Sequence, residues 1–283
     1  MKTLVIYNPK SGSADLKAIR SAIAKAGVAA DFMPISARNI AAGISSAQLV
    51  IAAGGDGTVN AVASHLIGTS KTLGILPAGT LNHFAKELQI PPDLGQAANI
   101  TARGATRQVD AGNVNGHTFI NNSSIGLYPR SLRVREEHQK TIGKWPAAIV
   151  GMLHGLFNSR HYHVELLVDG KQHTFRTPFV FIGNNEYKRS GAQLGTRRSL
   201  DSGTLAVYII KATHPLKTVY ALVRMFMTRK YRTRDFVVHV TDSCTIRTRH
   251  NKRLNIACDG EVFTTHTPLH FKSQHKALRV ITK

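Results

Sequence analysis

Cysteine is scarce in this chain, which has two among its 283 residues, Cys244 and Cys258. Two thiols cannot form the set of several disulfides that holds small secreted proteins together, so the sequence favours a reduced, intracellular setting. Long apolar runs are also missing. The closest one, residues 145–157, is too short to span a bilayer and contains Pro146 and His154. A buried or interfacial helix is the better prediction for that run.

Acidic residues are the other deficit, because sixteen Asp and Glu stand against thirty-seven Lys and Arg, for a net charge of +21. Such an excess implies an anionic partner, which can be nucleic acid, an anionic membrane surface or a phosphorylated substrate. The basic residues are densest in the second half, over 130–144, 188–198, 217–234 and 247–253. Few aromatic side chains for base stacking lie in or beside those runs (Tyr187, Tyr231 and Phe236), so no nucleic acid is expected as a partner.

The residues that are present suit two folded domains. Hydrophobic residues make up 42% of the chain, which is enough for a substantial core. In the first part of the chain, short apolar segments alternate with segments of helical periodicity, which predicts a parallel sheet covered by helices. Beyond residue 103, strand-like runs follow one another with hairpin signals at Asn115-Gly116 and Asp169-Gly170, which predicts a mostly antiparallel β domain. Two helical insertions, 129–157 and 215–229, are predicted within it.

The most informative segment is a glycine-rich turn between a predicted strand, residues 48–53, and a predicted helix, residues 59–67. It consists of Gly54, Gly55, Asp56, Gly57 and Thr58. A strand, such a turn and a helix start aim backbone N–H groups at a phosphate, and Thr58 is expected to cap the helix. Asp56 repels a phosphate unless a cation bridges the two or a proton moves, so it suggests metal-assisted or acid–base chemistry. Because Gly-Asp-Gly also makes ordinary turns, this segment alone leaves phosphate binding open.

Two further turns of small and polar residues follow predicted strands. The first strand is followed by Asn8, Ser11 and Gly12, and a later strand by Thr80, another expected cap, and Asn82. The carboxyl ends of parallel strands meet at one edge of the sheet, where ligands bind. Three such turns at one edge favour a nucleotide phosphate site.

A pair of carboxylates lies near the other end of the chain, in Asp259-Gly260-Glu261. Asp-Gly between two strand-like runs is an ordinary hairpin turn. Glu261 adds a second carboxylate in a chain that has few acids. Together the two can provide a general base and its orienting partner for a hydroxyl that must lose a proton.

Taken together, these motifs resemble those of the diacylglycerol kinase catalytic-domain family, which includes bacterial lipid kinases and sphingosine kinases. The resemblance rests on NPKSG, GGDGT, LPAGTLNHFAKEL and DGE, which occur in that order over essentially the whole chain. It implies an α/β fold class with an N-terminal parallel-sheet nucleotide-binding domain, residues 1–114. It also implies a C-terminal, mostly antiparallel β-sandwich domain that accepts the lipid, residues 115–283. The extreme C-terminal segment is expected to pack back onto the first domain.

The resemblance further implies that the γ-phosphoryl group of ATP moves to a hydroxyl of a lipid such as diacylglycerol, with Mg²⁺. Asp259 would accept the hydroxyl proton, with Glu261 in support, and Asp56 would help to place the Mg²⁺–nucleotide. The positions carried over to the nucleotide site are Asn8, Ser11, Gly12, Ser36, Gly54, Gly55, Asp56, Gly57, Thr58 and Thr80.

One departure from the family pattern concerns a structural metal. Family members often carry Leu-Asp-Asp-Gly, whose second aspartate holds a Mg²⁺ ion, whereas this chain has Leu200-Asp201-Ser202-Gly203. A hydroxyl is a far weaker ligand for a hard cation than a carboxylate. The second metal site is therefore in question, with Asp201 as the substitute ligand.

The resulting prediction is a cytoplasmic lipid kinase that associates peripherally with the anionic inner face of the membrane. Segments 130–157 and 215–234 are the candidate membrane contacts, and the oligomeric state is left open between a monomer and a homodimer. One alternative is an NAD kinase-like enzyme with a soluble substrate, since GGDGT is shared with NAD kinases. Another is a catalytically weak lipid- or nucleic-acid-binding relative, since Ser202 replaces an aspartate.

Overall fold

A computed structural model describes residues 2–9, 15–126, 161–188, 196–211, 234–249 and 252–283, together with 214, 216–218, 220, 221 and 224. The chain forms two compact units. Unit 1 is Met1–Ala111 with His275–Lys283, and unit 2 is Gly112–Gln274. Two strands, β5 (Ala105–Val114) and β16 (Leu269–Thr282), begin in one unit and end in the other.

Unit 1 is built on parallel strands in the order β2-β1-β3-β4. The last part of β16 adds a parallel neighbour to β4, with Arg279 opposite Thr72 and Val280 opposite Leu73. The strands are β1 (Thr3–Tyr7), β2 (Asp31–Pro34), β3 (Leu49–Gly54) and β4 (Thr72–Pro77). The helices are α1 (Leu16–Lys25), α2 (Ile40–Ser46), α3 (Asp56–Ser64), α4 (His83–Glu87) and α5 (Leu94–Arg103).

The local sequence explains these elements. Every residue of β3 is buried, as the uniformly apolar run predicts for a strand covered on both faces. Helix α1 begins after Asp15, whose carboxylate accepts from the Ala18 N–H at 2.7 Å, and α5 begins in the same way after Asp93. Each such cap satisfies one N–H group of a first turn.

Unit 2 has two antiparallel sheets that pack around one core. One sheet has the order β12-β11-β10-β7-β14-β15, and in the other β16 pairs with β13, β13 with β8, and β8 with β9. The strands are β6 (His117–Phe119), β7 (Asn122–Gly126), β8 (Tyr162–Val168), β9 (Lys171–Thr177), β10 (Phe179–Asn184), β11 (Leu205–Ile210), β12 (Phe236–Thr241), β13 (Ser243–Thr248), β14 (Arg253–Cys258) and β15 (Glu261–His266). The core draws on both sheets, with Ile125 and Val207 from one and Leu166 and Phe271 from the other.

The predicted fold class, a parallel α/β domain and an antiparallel β sandwich, is confirmed. Both hairpin signals are also confirmed, because Asn115-Gly116 joins β5 to β6 and Asp169-Gly170 joins β8 to β9, with positive φ at all four residues. The predicted helical insertions, 129–157 and most of 215–229, lie outside the described residues. Within the described parts of the chain, no helix is long and apolar enough to cross a membrane.

Candidate functional site

The first group of predicted site residues lies where β1 and β3 end. Helix α3 begins at Asp56, with Gly55 as its N-cap, so the helix starts three residues earlier than the apolar spacing predicts. Thr58 therefore lies in the first turn, buried, and does not cap the helix as expected. The Asn8 Nδ2 donates to its hydroxyl at 3.4 Å, which joins the end of β1 to the start of α3. A Cβ on Gly54 would lie 2.4 Å from the Thr58 Oγ1, so glycine makes room for this hydroxyl.

The turn after β4 packs directly against this loop. The Ala78 N–H donates to the Gly54 carbonyl at 3.0 Å. A Cβ on Gly79 would lie 2.3 Å from the Cα of Gly55, a distance that no side chain can occupy. The Asn82 side chain closes the turn by accepting from the Gly79 N–H at 3.1 Å and donating to the Gly79 carbonyl at 2.8 Å. The two glycine turns are therefore held in backbone contact.

Asp56 has a structural partner that its position in the sequence does not reveal. Its Oδ2 accepts from the His83 N–H at 3.1 Å and its Oδ1 from the Phe84 N–H at 3.2 Å. The carboxylate thus binds the first amides of α4 and ties the turn after β3 to that helix. This contact gives a structural reason for an aspartate in a turn that is suited to bind phosphate, because the two N–H donors stabilise the negative charge of Asp56. Each oxygen also keeps a further acceptor position.

The remaining predicted nucleotide residues lie in exposed turns or outside the described residues. Ser36 lies in the turn after β2 and Thr80 in the turn after β4, and both are exposed. Thr80 does not cap α4, whose N-cap is Asn82 in the left-handed region. Ser11 and Gly12 lie outside the described residues.

The second group lies in unit 2, at the hairpin between β14 and β15. Asp259 and Gly260 form its two-residue turn, with φ of +48° and +90°. The Asp259 carboxylate accepts three backbone N–H groups, two from the loop after β6 and one from the first residue of β7. Its Oδ2 accepts from Ile120 at 2.6 Å, and its Oδ1 from Asn121 at 2.8 Å and Asn122 at 2.9 Å. The geometry leaves one acceptor position on the Oδ2.

Burial raises the pKa of Asp259 from 3.8 to about 6, while the three N–H donors and the positive charge of Arg197 act to lower it. Such a carboxyl is mostly ionised at neutral pH and still has appreciable proton affinity. A general base works best when its pKa lies near the working pH, so Asp259 is suited to accept a proton from an alcohol.

Glu261 is exposed at the start of β15, where it pairs with Cys258 across the hairpin. The thiol of Cys258 is buried, and burial raises its pKa to about 12. Its Sγ lies 3.4 Å from the Ser123 Oγ, within the core. A thiol in this state is a packing residue, because only the thiolate is nucleophilic.

Arg197 is the functional candidate that sequence reasoning missed. It is 6% exposed, and its guanidinium reaches the backbone that holds Asp259, with its Nη1 donating to the Ile120 carbonyl at 2.6 Å. In the sequence it is one basic residue within the run 188–198, and nothing in that run marks it as buried. Only the fold distinguishes it from exposed neighbours such as Arg198.

The described partners of Asp201 and Ser202 include hydroxyl and amide groups. The Ser199 hydroxyl donates to the Asp201 carboxylate, and the Ser202 hydroxyl bonds to the side chains of Asn185 and Thr204. Among the residues that the structure describes, no group of three or more His, Cys, Asp or Glu side chains could hold a metal ion. A serine hydroxyl already engaged by an amide does not fit the structural Mg²⁺ that the resemblance implies at this segment.

Comparisons with known proteins agree with both halves of this description. The family model for the diacylglycerol kinase catalytic domain matches residues 2–114, and the model for the YegS C-terminal NAD kinase beta sandwich-like domain matches residues 134–282. A protein of Bacillus subtilis named "Diacylglycerol kinase" is 29% identical, over 76% of this chain and 71% of its own length. A protein of Pectobacterium atrosepticum named "Probable lipid kinase YegS-like" is 34% identical, over 60% of this chain and 58% of its own length.

Solved structures share the fold over the whole chain. The crystal structure of a diacylglycerol kinase from Bacillus anthracis strain Sterne has a TM-score of 0.72 at 22% identity, covering 100% of this chain and 97% of its own, a likeness that shows the fold alone. A second structure from that strain has a TM-score of 0.76 at 25% identity and the same coverage. The C-terminal family model alone spans more than half of the 283 residues. The chain therefore belongs to the lipid kinase family defined by the diacylglycerol kinase catalytic domain and the YegS-type C-terminal domain.

Proposed function

We propose that this protein is an ATP-dependent lipid kinase, which transfers the γ-phosphoryl group of ATP with Mg²⁺ to a hydroxyl of a lipid such as diacylglycerol. The observation that carries the proposal is Asp259, a carboxylate held by three backbone N–H groups with a pKa of about 6 and one acceptor position left. Phosphoryl transfer to an alcohol needs such a proton acceptor. The names of the similar proteins support a lipid as the acceptor.

Unit 1 supplies the nucleotide site in this proposal. Its turns at Gly55 and Gly79 touch through their backbones, so neither carries a side chain that would keep a phosphate away from the main chain. The first amides of α3 have no partner within the helix and are suited to donate to phosphate oxygens. Mg²⁺, when bound with ATP, supplies positive charge against the phosphate oxygens, and Asp56 has acceptor positions to contribute to it.

Unit 2 supplies the proton acceptor. Above pH 6 the Asp259 carboxylate is largely ionised and takes the proton of the lipid hydroxyl as that oxygen bonds to the γ-phosphorus. The bond between the γ-phosphorus and the bridging oxygen breaks, and ADP leaves. Glu261 is proposed to support Asp259 as a second, exposed carboxylate on the same hairpin.

The test is a kinase assay with labelled ATP, Mg²⁺ and a panel of lipids in mixed vesicles, with NAD as the soluble competitor substrate. Label on a lipid hydroxyl supports the proposal, whereas label on NAD and on no lipid contradicts it. Asp259→Asn should lower kcat at least about a hundredfold with little change in ATP affinity. A variant with unchanged kcat would remove Asp259 from the role of base.

We also propose that the protein works at the cytoplasmic, anionic face of the membrane. Its lipid substrate resides there, and its net charge of +21 favours an anionic surface. The predicted contact segments 130–157 and 215–234 lie wholly or mostly outside the described residues.

A further inference from the structure

The backbone that binds Asp259 is itself bound from its other side. The Ile120 carbonyl belongs to the same peptide group as the Asn121 N–H, which donates to Asp259 at 2.8 Å. The Asn121 carbonyl likewise shares a peptide group with the Asn122 N–H, which donates at 2.9 Å. Whatever donates to these two carbonyls therefore affects the two N–H groups that hold the carboxylate.

Both carbonyls accept more than one donor. The Ile120 carbonyl accepts from the Arg197 Nη1 at 2.6 Å and from the Asn184 Nδ2 at 2.9 Å. The Asn121 carbonyl accepts from the Tyr187 hydroxyl at 3.2 Å and from the Asn184 N–H at 2.9 Å. A donor on the carbonyl polarises the peptide group and makes its N–H a stronger donor.

Burial of the Arg197 guanidinium is unfavourable in itself. A buried cation carries a desolvation penalty that its hydrogen bonds must offset. Besides the Ile120 carbonyl, its guanidinium donates to the Asn184 carbonyl at 3.2 Å and reaches the Asn121 Oδ1 at 3.5 Å. Its bonds thus reach both residues of the short loop between β6 and β7, which carry two of the three N–H donors to Asp259.

We infer that Arg197 is a positioning residue for the phosphoryl transfer. It holds the backbone of residues 120–122 in place, so that the three N–H groups of this backbone bind the Asp259 carboxylate, and Tyr187 is the second residue that supports this backbone. The inference rests on the proposed function, in which Asp259 is the base. It concerns how that base is kept in place and ionised, and it adds no group that touches the substrate.

The charges around Asp259 are consistent with this role. The positive charge of Arg197, in the segment before β11, lowers the pKa of Asp259 against the effect of burial. Among the described residues, other titratable groups near it include the thiol of Cys258, whose high pKa keeps it neutral, the exposed carboxylate of Glu261, and the hydroxyl of Tyr187 beyond the loop. Of these described groups, Arg197 is the one whose positive charge favours the ionised carboxylate.

The experiment compares four variants by two readouts. Arg197→Met removes the charge, Arg197→Lys keeps it, and Tyr187→Phe removes one donor to the loop. Arg198→Met is the matched control, because this adjacent arginine has a side chain 52% exposed and paired with Glu186 at 3.4 Å. The readouts are the acid limb of kcat/KM in lipid phosphorylation and the titration of the Asp259 carboxyl carbon by ¹³C NMR.

We expect Arg197→Met to move the Asp259 titration and the acid limb to higher pH. The loss of kcat/KM should be about tenfold at pH 6 and less than about threefold at pH 8. Tyr187→Phe should move both in the same direction by less. Arg197→Lys should also move them by less than Arg197→Met, because the charge remains while the forked donors are lost. Arg198→Met should stay close to the wild type. A purely structural role for Arg197 would lower kcat/KM equally at both pH values.

An Asp259 titration in folded Arg197→Met that coincides with the wild type would overturn the inference. If that variant does not fold, Tyr187→Phe decides, and an unshifted titration there overturns it as well. Failure of the proposed function is separate, because a wild type that phosphorylates no lipid still yields the NMR titrations.

Discussion

At the scale of single residues, Asp259 has two structural roles, in the hairpin turn and as the acceptor of three N–H groups, and the sequence shows only the first. The hairpin turn needs a residue that tolerates positive φ, and asparagine or aspartate serves equally well. The three N–H groups of residues 120–122 need an acceptor with two oxygens, which only the carboxylate provides. The turn was predictable from Asp-Gly alone. The N–H donors were not predictable, because they come from a segment about 140 residues earlier in the chain.

The raised pKa of Asp259 predicts a specific dependence of stability on pH. Because the native state holds the proton more tightly than the unfolded chain, the stability from this group is complete below pH 3.8 and is lost as the pH rises through about 6. Asp259→Asn lacks this dependence. The unfolding free energy of the wild type minus that of the variant should therefore fall by roughly 3 kcal/mol between about pH 4 and pH 7.

Urea unfolding at a series of pH values measures this difference. Asp31→Asn, at an exposed position that begins β2, is the control and should show no comparable trend. If the unfolding free energy of the wild type minus that of Asp259→Asn stays constant or rises with pH, the pKa of Asp259 is not raised in the native state.

At the scale of elements, the two glycine turns after β3 and β4 act as one structure. The sequence predicted both turns and their place at one edge of the sheet, because the strand order of a parallel α/β domain brings such ends together. It did not predict that Asp56 binds the first amides of α4, or that Gly55 and Gly79 touch. Both contacts join segments more than twenty residues apart, and neither leaves a periodic signal in the chain.

Gly79→Ala should separate the two turns. The added Cβ would lie 2.3 Å from the Gly55 Cα, which is backbone and cannot rotate away, so we expect a stability loss of about 1–3 kcal/mol. The KM for ATP should rise about tenfold, because the phosphate donors move apart. In the control Gly95→Ala, the new Cβ would meet the Asp93 Oδ1 at 3.3 Å, and a small movement of that side chain relieves it. Equal effects of the two substitutions on the KM for ATP would contradict a shared phosphate site.

In the contacts that the structure describes, hydroxyl and amide groups hold the segment from Asp201 to Thr204, and we expect its stability not to depend on a metal. We expect chelation of Mg²⁺ by EDTA to leave the unfolding midpoint of the nucleotide-free protein unchanged. Ser202→Ala should cost about 1 kcal/mol, because Asn185 loses a bond to the Ser202 hydroxyl.

Ser202→Asp gives the matched comparison for that segment. It places a carboxylate beside the Asn185 Oδ1, so this variant should become less stable in EDTA and regain stability with added Mg²⁺. Differential scanning calorimetry follows all three proteins. An EDTA-sensitive wild type would show that a cation is bound in spite of Ser202.

At the scale of the whole molecule, the sequence predicted the fold class and family well, because strand and helix periodicity and four ordered motifs all agreed. The resemblance implied that the extreme C-terminal segment packs back onto the first domain, but the local pattern of β16 does not show that this strand belongs to both units. Its 14 residues alternate like those of any antiparallel strand, yet its last part pairs in parallel with β4, some two hundred residues earlier. Long-range pairing of this kind follows from the complete fold and not from local pattern.

Leu278→Ala tests this shared strand. Leu278 is fully buried in the part of β16 that belongs to unit 1, so its truncation should cost about 2–5 kcal/mol. Amide hydrogen exchange should become faster in β4, and its rate should change less in β10, which lies in unit 2. Arg279→Ala, at the adjacent exposed position, should change neither strand. Equal acceleration in both strands would mean that the two units do not unfold separately.

The net charge of the molecule predicts how it meets a membrane. With +21 overall and exposed basic side chains such as Arg247, Arg249 and Lys272 in unit 2, binding to vesicles should require anionic lipid. Co-sedimentation with phosphatidylglycerol vesicles should weaken steeply between about 50 mM and about 500 mM NaCl, as screening shortens the range of the attraction. Phosphatidylcholine vesicles are the control. Binding that is indifferent to both salt and lipid charge would mean that apolar insertion, and not the excess of basic residues, holds the protein at the surface.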